Sequence, residues 1–118
     1  MSFETKRTRR RATFSRSTQR PRSESSDLAS EELLEAVLWY ESQRTGLGSE
    51  FYEAVLATLS LLESHEEAGV AVGGDARTRR LLVDRFPYQL VYRLREAEIV
   101  IVAFAHLKRR PGYWKHRA

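Results

Sequence analysis

No cysteine occurs among the 118 residues, so neither a disulfide nor a thiolate metal site supports the fold, and a reducing compartment is the natural fit. The longest apolar run, Ile99 to Ala105, is far shorter than the ~20 residues a bilayer-spanning helix needs. The N-terminus lacks the apolar stretch of a secretory signal, so the expectation is a soluble, cytoplasmic protein without membrane association. A Gly-rich phosphate loop and a nucleophile arrangement are also missing. The three histidines, His65, His106 and His116, form no metal-ligand pattern, so no cofactor and no metal are expected.

What is present in abundance is charge, arranged in blocks. Residues 1–26 hold 8 Lys/Arg against 2 acids, residues 27–67 hold 1 against 10, and residues 75–118 hold 11 against 4. The net +4 therefore conceals blocks of +6, −9 and +7. A basic C-terminal block beside an acidic middle predicts a protein that meets a polyanion on one side only. The length suits one domain. Residues 1–26, rich in Arg, Ser and Thr with only Phe3 and Phe14 as large apolar residues, read as a disordered basic extension in which 12–15 suit a short edge strand. Residues 27–118 read as the folded domain.

Leu33, Ala36, Val37 and Tyr40, widened by Leu34 and Leu38, recur at helical spacing and predict an amphipathic helix over 28–44. Asp27 is the expected N-cap, and Glu31, Glu32 and Glu35 lie in early turns, where the helix dipole favours anions. The segment 45–49 breaks the helix, and Ser49 is the expected cap of a second one carrying Phe51, Val55, Leu59 and Leu62. The short link implies an antiparallel helical hairpin. Gly69, Gly73 and Gly74 mark a loop, after which the period changes to two, with strands over 77–83, 88–94 and 98–105. Short connections make these strands antiparallel. Tyr88, Leu90, Tyr92 and Leu94 face one way, toward the helices; Gln89, Val91 and Arg93 face a side expected to be partly open. The last strand is apolar at both parities, Ile99, Ile101, Ala103 and Ala105 against Val100, Val102 and Phe104, which suits a central position. The fold class is α+β: a helical hairpin packed on a three- to four-stranded antiparallel sheet, with a basic C-terminal tail from His106 to His116.

Four segments resemble, in order, the RelE/ParE toxins of bacterial type II toxin–antitoxin systems, a family also described as plasmid stabilisation proteins. They are Glu32–Glu41, the Gly46-Leu-Gly48 break before Phe51, Arg79–Tyr88 with Val91-Tyr-Arg93, and Ala105–Trp114. The resemblance spans residues 29–116. It implies a growth-inhibiting toxin that acts either on DNA gyrase, in the ParE manner, or by ribosome-dependent cleavage of mRNA, in the RelE manner. It also implies neutralisation by a cognate antitoxin with an acidic C-terminal segment. Only the RelE branch is an enzyme, an endoribonuclease.

Cleavage by transphosphorylation needs a base for the 2′-hydroxyl, cations for the phosphorane and an acid for the leaving oxygen. His106 directly follows the last strand, and histidine serves as acid or base near neutrality; the competing reading is a backbone hydrogen bond at the strand end. The resemblance adds Tyr113 as the counterpart of a C-terminal catalytic tyrosine. Arg85 and Arg110 complete the catalytic candidates, and Arg79, Arg80, Arg93, Lys108 and Arg109 are candidates for nucleic-acid or target binding, since guanidinium groups grip phosphate bidentately. Any one arginine is more readily read as a solvated surface cation or the partner of a nearby acid. Trp114 reads as cover folded back on the sheet. No carboxylate lies in the tail, so Asp84 or Glu98 would have to approach His106 to act as base. The alternative functions are a non-catalytic basic nucleic-acid-binding module, and an inactive toxin remnant.

Overall fold

The computed structural model describes residues 11–13, 24–96 and 98–117, with side chains from residue 27 onward. Two helices, α1 (Glu24–Gln43) and α2 (Leu47–Ser64), form a hairpin over one sheet made of β1 (Arg11–Thr13), β2 (Val70–Val72), β3 (Asp75–Leu82), β4 (Tyr88–Arg95) and β5 (Glu98–His106). The strand order is β1-β5-β4-β3-β2. Strands β2 to β5 are successively antiparallel, and β1 adds to the β5 edge in parallel, pairing Arg11–Thr13 with Glu98–Val100. The described strand β1 thus begins one residue before the expected 12–15 edge strand; the remaining residues of that expectation, and most of the expected disordered extension, lie outside the described residues.

Helix α1 opens at Glu24, ahead of the expected cap, so Asp27 sits inside the first turns, where its carboxylate complements the helix dipole. The cap of α2 is also not the expected one. Gly46, at φ 91°, occupies the N-cap position, and the side chain that satisfies the orphan amides comes from the preceding helix. Glu41 accepts from Gly46 N at 3.0 and 3.1 Å and from Gly48 N at 2.9 Å. A carboxylate at a helix N-terminus gains from both the hydrogen bonds and the dipole, which leaves Ser49 no capping role. Gly48 lets the helices meet: a Cβ there would stand 2.6 Å from the Val37 carbonyl oxygen.

Between hairpin and sheet, Tyr40, Phe51, Phe86 and Tyr88 interlock with centroid separations from 4.9 Å for Tyr40–Phe51 to 6.1 Å for Tyr40–Tyr88. Val55, Leu62, Leu90, Tyr92, Ile99, Ile101 and Phe104 extend this core. The Tyr92 hydroxyl, fully buried, donates to the Glu66 carbonyl and accepts from Gly69 N, each at 2.9 Å, tying the end of the helical layer to the sheet. Strand β2 falls where a glycine-marked loop was expected: Val70-Ala-Val72 is too short to show a period, and Gly73-Gly74 is the turn of a hairpin.

Strict alternation fails in β5. Val91 pairs with Ala103 but Tyr92 with Ile101, so Val102 is an additional residue, a β-bulge. Parity reverses beyond it. Phe104 joins Ile99 and Ile101 in the helix-side core, while Val102 and Ala103 pack with Val91 and Trp114 on the opposite face. The expected grouping of Phe104 with Val100 and Val102 is corrected accordingly. That opposite face is less open than expected, because Trp114, 6% exposed, covers it.

Candidate functional site

The reversed parity carries His106 to the helix side of the sheet end. It pairs with Tyr88 across the ladder, ring centroids 5.1 Å apart and edge-on at 74°. Its Nδ1 accepts from Lys108 N at 3.0 Å, a bond that requires an unprotonated Nδ1 and leaves the neutral ring's proton on Nε2. Around it, Glu32, Glu35, Ala36 and Trp39 of α1, Tyr88, Phe104 and Arg109 line a cleft of about 260 Å³.

The tail beyond β5 is pinned at several points. Leu107 N donates to the Pro87 carbonyl at 2.9 Å, and Gly112, at φ 80°, turns the chain so that Trp114 reaches the sheet. Tyr113 reaches α1, where its hydroxyl donates to Glu32 Oε2 at 2.7 Å. Glu32 Oε1 accepts from Arg117 at 2.9 Å and from Phe104 N at 3.0 Å. Arg117 also donates to the Val102 carbonyl at 3.2 Å. One carboxylate therefore holds strand edge and tail together, past the point where β1 pairing ends at Val100. Arg109 lies 3.8 Å from the Tyr113 ring centroid and Arg117 5.1 Å. Burial raises the Tyr113 pKa strongly, and the hydrogen bond and negative charge of Glu32 add to this against the two arginines. A phenol so held gives up its proton poorly. Burial, with the charges of Glu32 and Glu35, likewise raises Tyr88.

Of the residues nominated from sequence, the cleft thus gathers His106 and Arg109, with Tyr113 bound to its rim. Arg93 is on the other face, donating to the Arg117 carbonyl, to that of Lys115 at 3.5 Å and to Thr78 Oγ1 at 3.2 Å. Arg79 is turned to the β2 end, donating to the Gly69 carbonyl at 2.9 Å and to its own strand at Ala76 at 3.0 Å. Arg80 reaches Gln89 at 3.4 Å. Arg85, at φ 69°, sits in the β3–β4 turn with its guanidinium 5.6 Å from the Phe86 ring. Lys108 and Arg110 are exposed. The arginines do not converge on one phosphate-sized point.

The carboxylates beside His106 come from α1, not from Asp84 or Glu98. Glu32 and Glu35 were legible only as early-turn acids; the signal that marks them is the helix face they share with Ala36 and Trp39. Among the described residues no three His, Asp or Glu side chains are grouped to hold a metal ion, and no helix is long and apolar enough to cross a membrane.

Comparison with known proteins adds two findings. Residues 24–111 match the model of the family described as ParE toxin of type II toxin–antitoxin system, parDE. The fold is similar to that of a solved chain titled "Chromosomal ParDE TA system from P. aeruginosa", with a TM-score of 0.57 at 16% identity, covering 66% of this chain and 86% of that one. No curated protein matches the sequence.

Proposed function

The chain belongs to the ParE toxin family of type II toxin–antitoxin systems, and on that footing we propose that it arrests growth by acting on DNA gyrase and is neutralised by a cognate antitoxin with an acidic C-terminal segment. The observation that carries the choice of gyrase is the dispersal of the arginines. Phosphorane stabilisation needs cations aimed at one point, whereas Arg79 and Arg93, one ladder position apart, spend their guanidinium groups on backbone carbonyls on opposite faces of the sheet. The Tyr113 phenol, donated to Glu32, is withdrawn from acid–base work.

Two surfaces support antitoxin capture. Residues 75–118 carry the +7 block, which complements an acidic segment. On the outer side of the hairpin, Leu34, Leu38, Tyr52 and Leu56 remain exposed, and Val37, Leu38 and Tyr52 line a groove of about 370 Å³ between the helices. Apolar surface of this kind on a small domain marks a protein contact. A gyrase target places the protein in the cytoplasm.

The second reading, ribosome-dependent mRNA cleavage, is favoured by one observation, the meeting of His106, Glu35 and Arg109 in a single cleft. One experiment separates the two. Purified protein is incubated with gyrase and supercoiled plasmid, and in parallel with a translating extract. Trapped double-strand breaks that require gyrase, with intact message, are expected. Cut message with intact plasmid overturns the gyrase reading. Loss of the plasmid breaks on adding a candidate partner protein with an acidic C-terminal segment identifies that protein as the antitoxin.

A further inference from the structure

The cleft between α1 and the end of β5 is chemically asymmetric. Glu35 and Trp39, four residues apart on one face of α1, line it from the helix, and His106 and Arg109 line it from the end of β5 and the tail. Trp39 is 57% exposed although the adjacent Tyr40 is buried, so a large indole is left to solvent at a concave place. Unlike Glu32, which three donors occupy, Glu35 has no hydrogen bond or ion pair among the described residues.

An aromatic wall suits a flat ring. An ionised carboxylate only accepts hydrogen bonds, so beside that wall it selects a base with two adjacent donors on one edge. Guanine offers N1–H and N2–H together. Adenine and cytosine set a ring acceptor next to their amino group, and uracil flanks its one N–H with two carbonyls. From the end of β5 the lining offers donors instead: His106 presents Nε2–H because Nδ1 is engaged by Lys108 N, and Arg109 supplies a guanidinium. Exposed Lys108 and Arg110 flank that end, where a phosphate is favoured.

We propose that this cleft binds a guanine nucleotide, with the base stacked on Trp39, its N1–H and N2–H donated to Glu35, and its phosphate toward Arg109 and His106. The nucleotide is either free or an unpaired guanine within a strand; the inference is independent of which target the toxin attacks.

The test follows Trp39 emission of the full chain, with buried Trp114 as background, during titration with GMP, AMP, CMP and UMP. A pentaribonucleotide with one central guanine and its all-adenine counterpart form the second arm. Quenching by GMP, or by the guanine-containing strand, at roughly tenfold lower concentration than its adenine partner is expected. A response to GMP identifies the free nucleotide as sufficient; a response to the strand alone identifies an unpaired guanine in context. Glu35→Gln should erase the preference without altering thermal unfolding, and Arg109→Ala should weaken all ligands alike. Equal affinities, a preference that survives Glu35→Gln, quenching by inorganic phosphate alone, or no quenching in either arm overturns the proposal.

Discussion

Glu32→Ala removes the acceptor for Phe104 N, Tyr113 and Arg117 at once. The Arg117 and Glu32 side chains are 13% and 15% exposed. With the tail left in place, the variant would bury the Arg117 guanidinium without its carboxylate, at about 3–5 kcal/mol, and remove the Glu32 acceptor from the Phe104 N–H, at about 1–3 kcal/mol more. A cheaper response exists. By swinging out, the tail returns Arg117 and Tyr113 to water at the loss of Trp114 burial, about 1.5–3 kcal/mol. The bonds from Arg93 to the carbonyls of Lys115 and Arg117 are lost as well, about 1–2 kcal/mol net. The lower total governs, so about 2.5–5 kcal/mol should appear as detachment of the tail and not as collapse of the sheet. In a Trp39→Phe background Trp114 is the sole indole, and its emission in the absence of urea should shift to the red in Glu32→Ala. The main transition by far-UV circular dichroism should remain cooperative. Glu32→Gln keeps neutral acceptors but no charge for Arg117, and should fall between. An unshifted emission maximum with an unchanged urea midpoint would refute the assignment of Glu32 as the tail's anchor.

Alkaline titration probes the same contact by another route. Tyr113 holds its proton in the folded state above the ordinary phenol value of 10.0, so the unfolded chain releases it first and stability falls as pH rises past about 10. Urea midpoints measured across that range should drop less steeply in Tyr113→Phe, with Tyr40, Tyr88 and Tyr92, also raised, supplying the remaining slope. Gly48→Ala places a Cβ 2.6 Å from the Val37 carbonyl oxygen, and thermal unfolding should show a loss of about 1–3 kcal/mol as the hairpin is forced apart. His106→Ala combined with Arg110→Ala should abolish growth arrest on induction while leaving the unfolding curve in place; retained toxicity would put the active surface elsewhere.

The hairpin and the antiparallel order of β3 to β5 were legible because their periods are long and clean: Val55, Leu59 and Leu62 on one helix, Tyr88 to Leu94 on one strand. Three features escaped for separate reasons. Strand β2 has only Val70, Ala71 and Val72, fewer than a period needs. The cap of α2 is supplied by Glu41, and nothing local to Ser49 announces that a residue of the preceding helix has taken its place. The carboxylates of the cleft were sought near the tail in sequence, whereas α1 brings them there in space. Around the tail the reading was mixed: Trp114 does cover the sheet, but Arg93, nominated for phosphate, holds the tail's carbonyls.

The bulge at Val102 has a consequence for how this scaffold varies. His106 stands beside α1 because it pairs with Tyr88, and the residue added ahead of it only reverses its sequence parity relative to Ile99 and Ile101. A chain lacking that one residue would keep the same pairs in an unbroken ladder, and because cross-strand partners share a face the imidazole opposite Tyr88 would still stand beside α1. An insertion or deletion absorbed at the bulge therefore changes sequence parity without moving the site, so that two relatives whose strands differ by one residue share the site when the histidine keeps the partner that Tyr88 is here. Comparisons of such chains are sound only when the register against β4 is counted residue by residue.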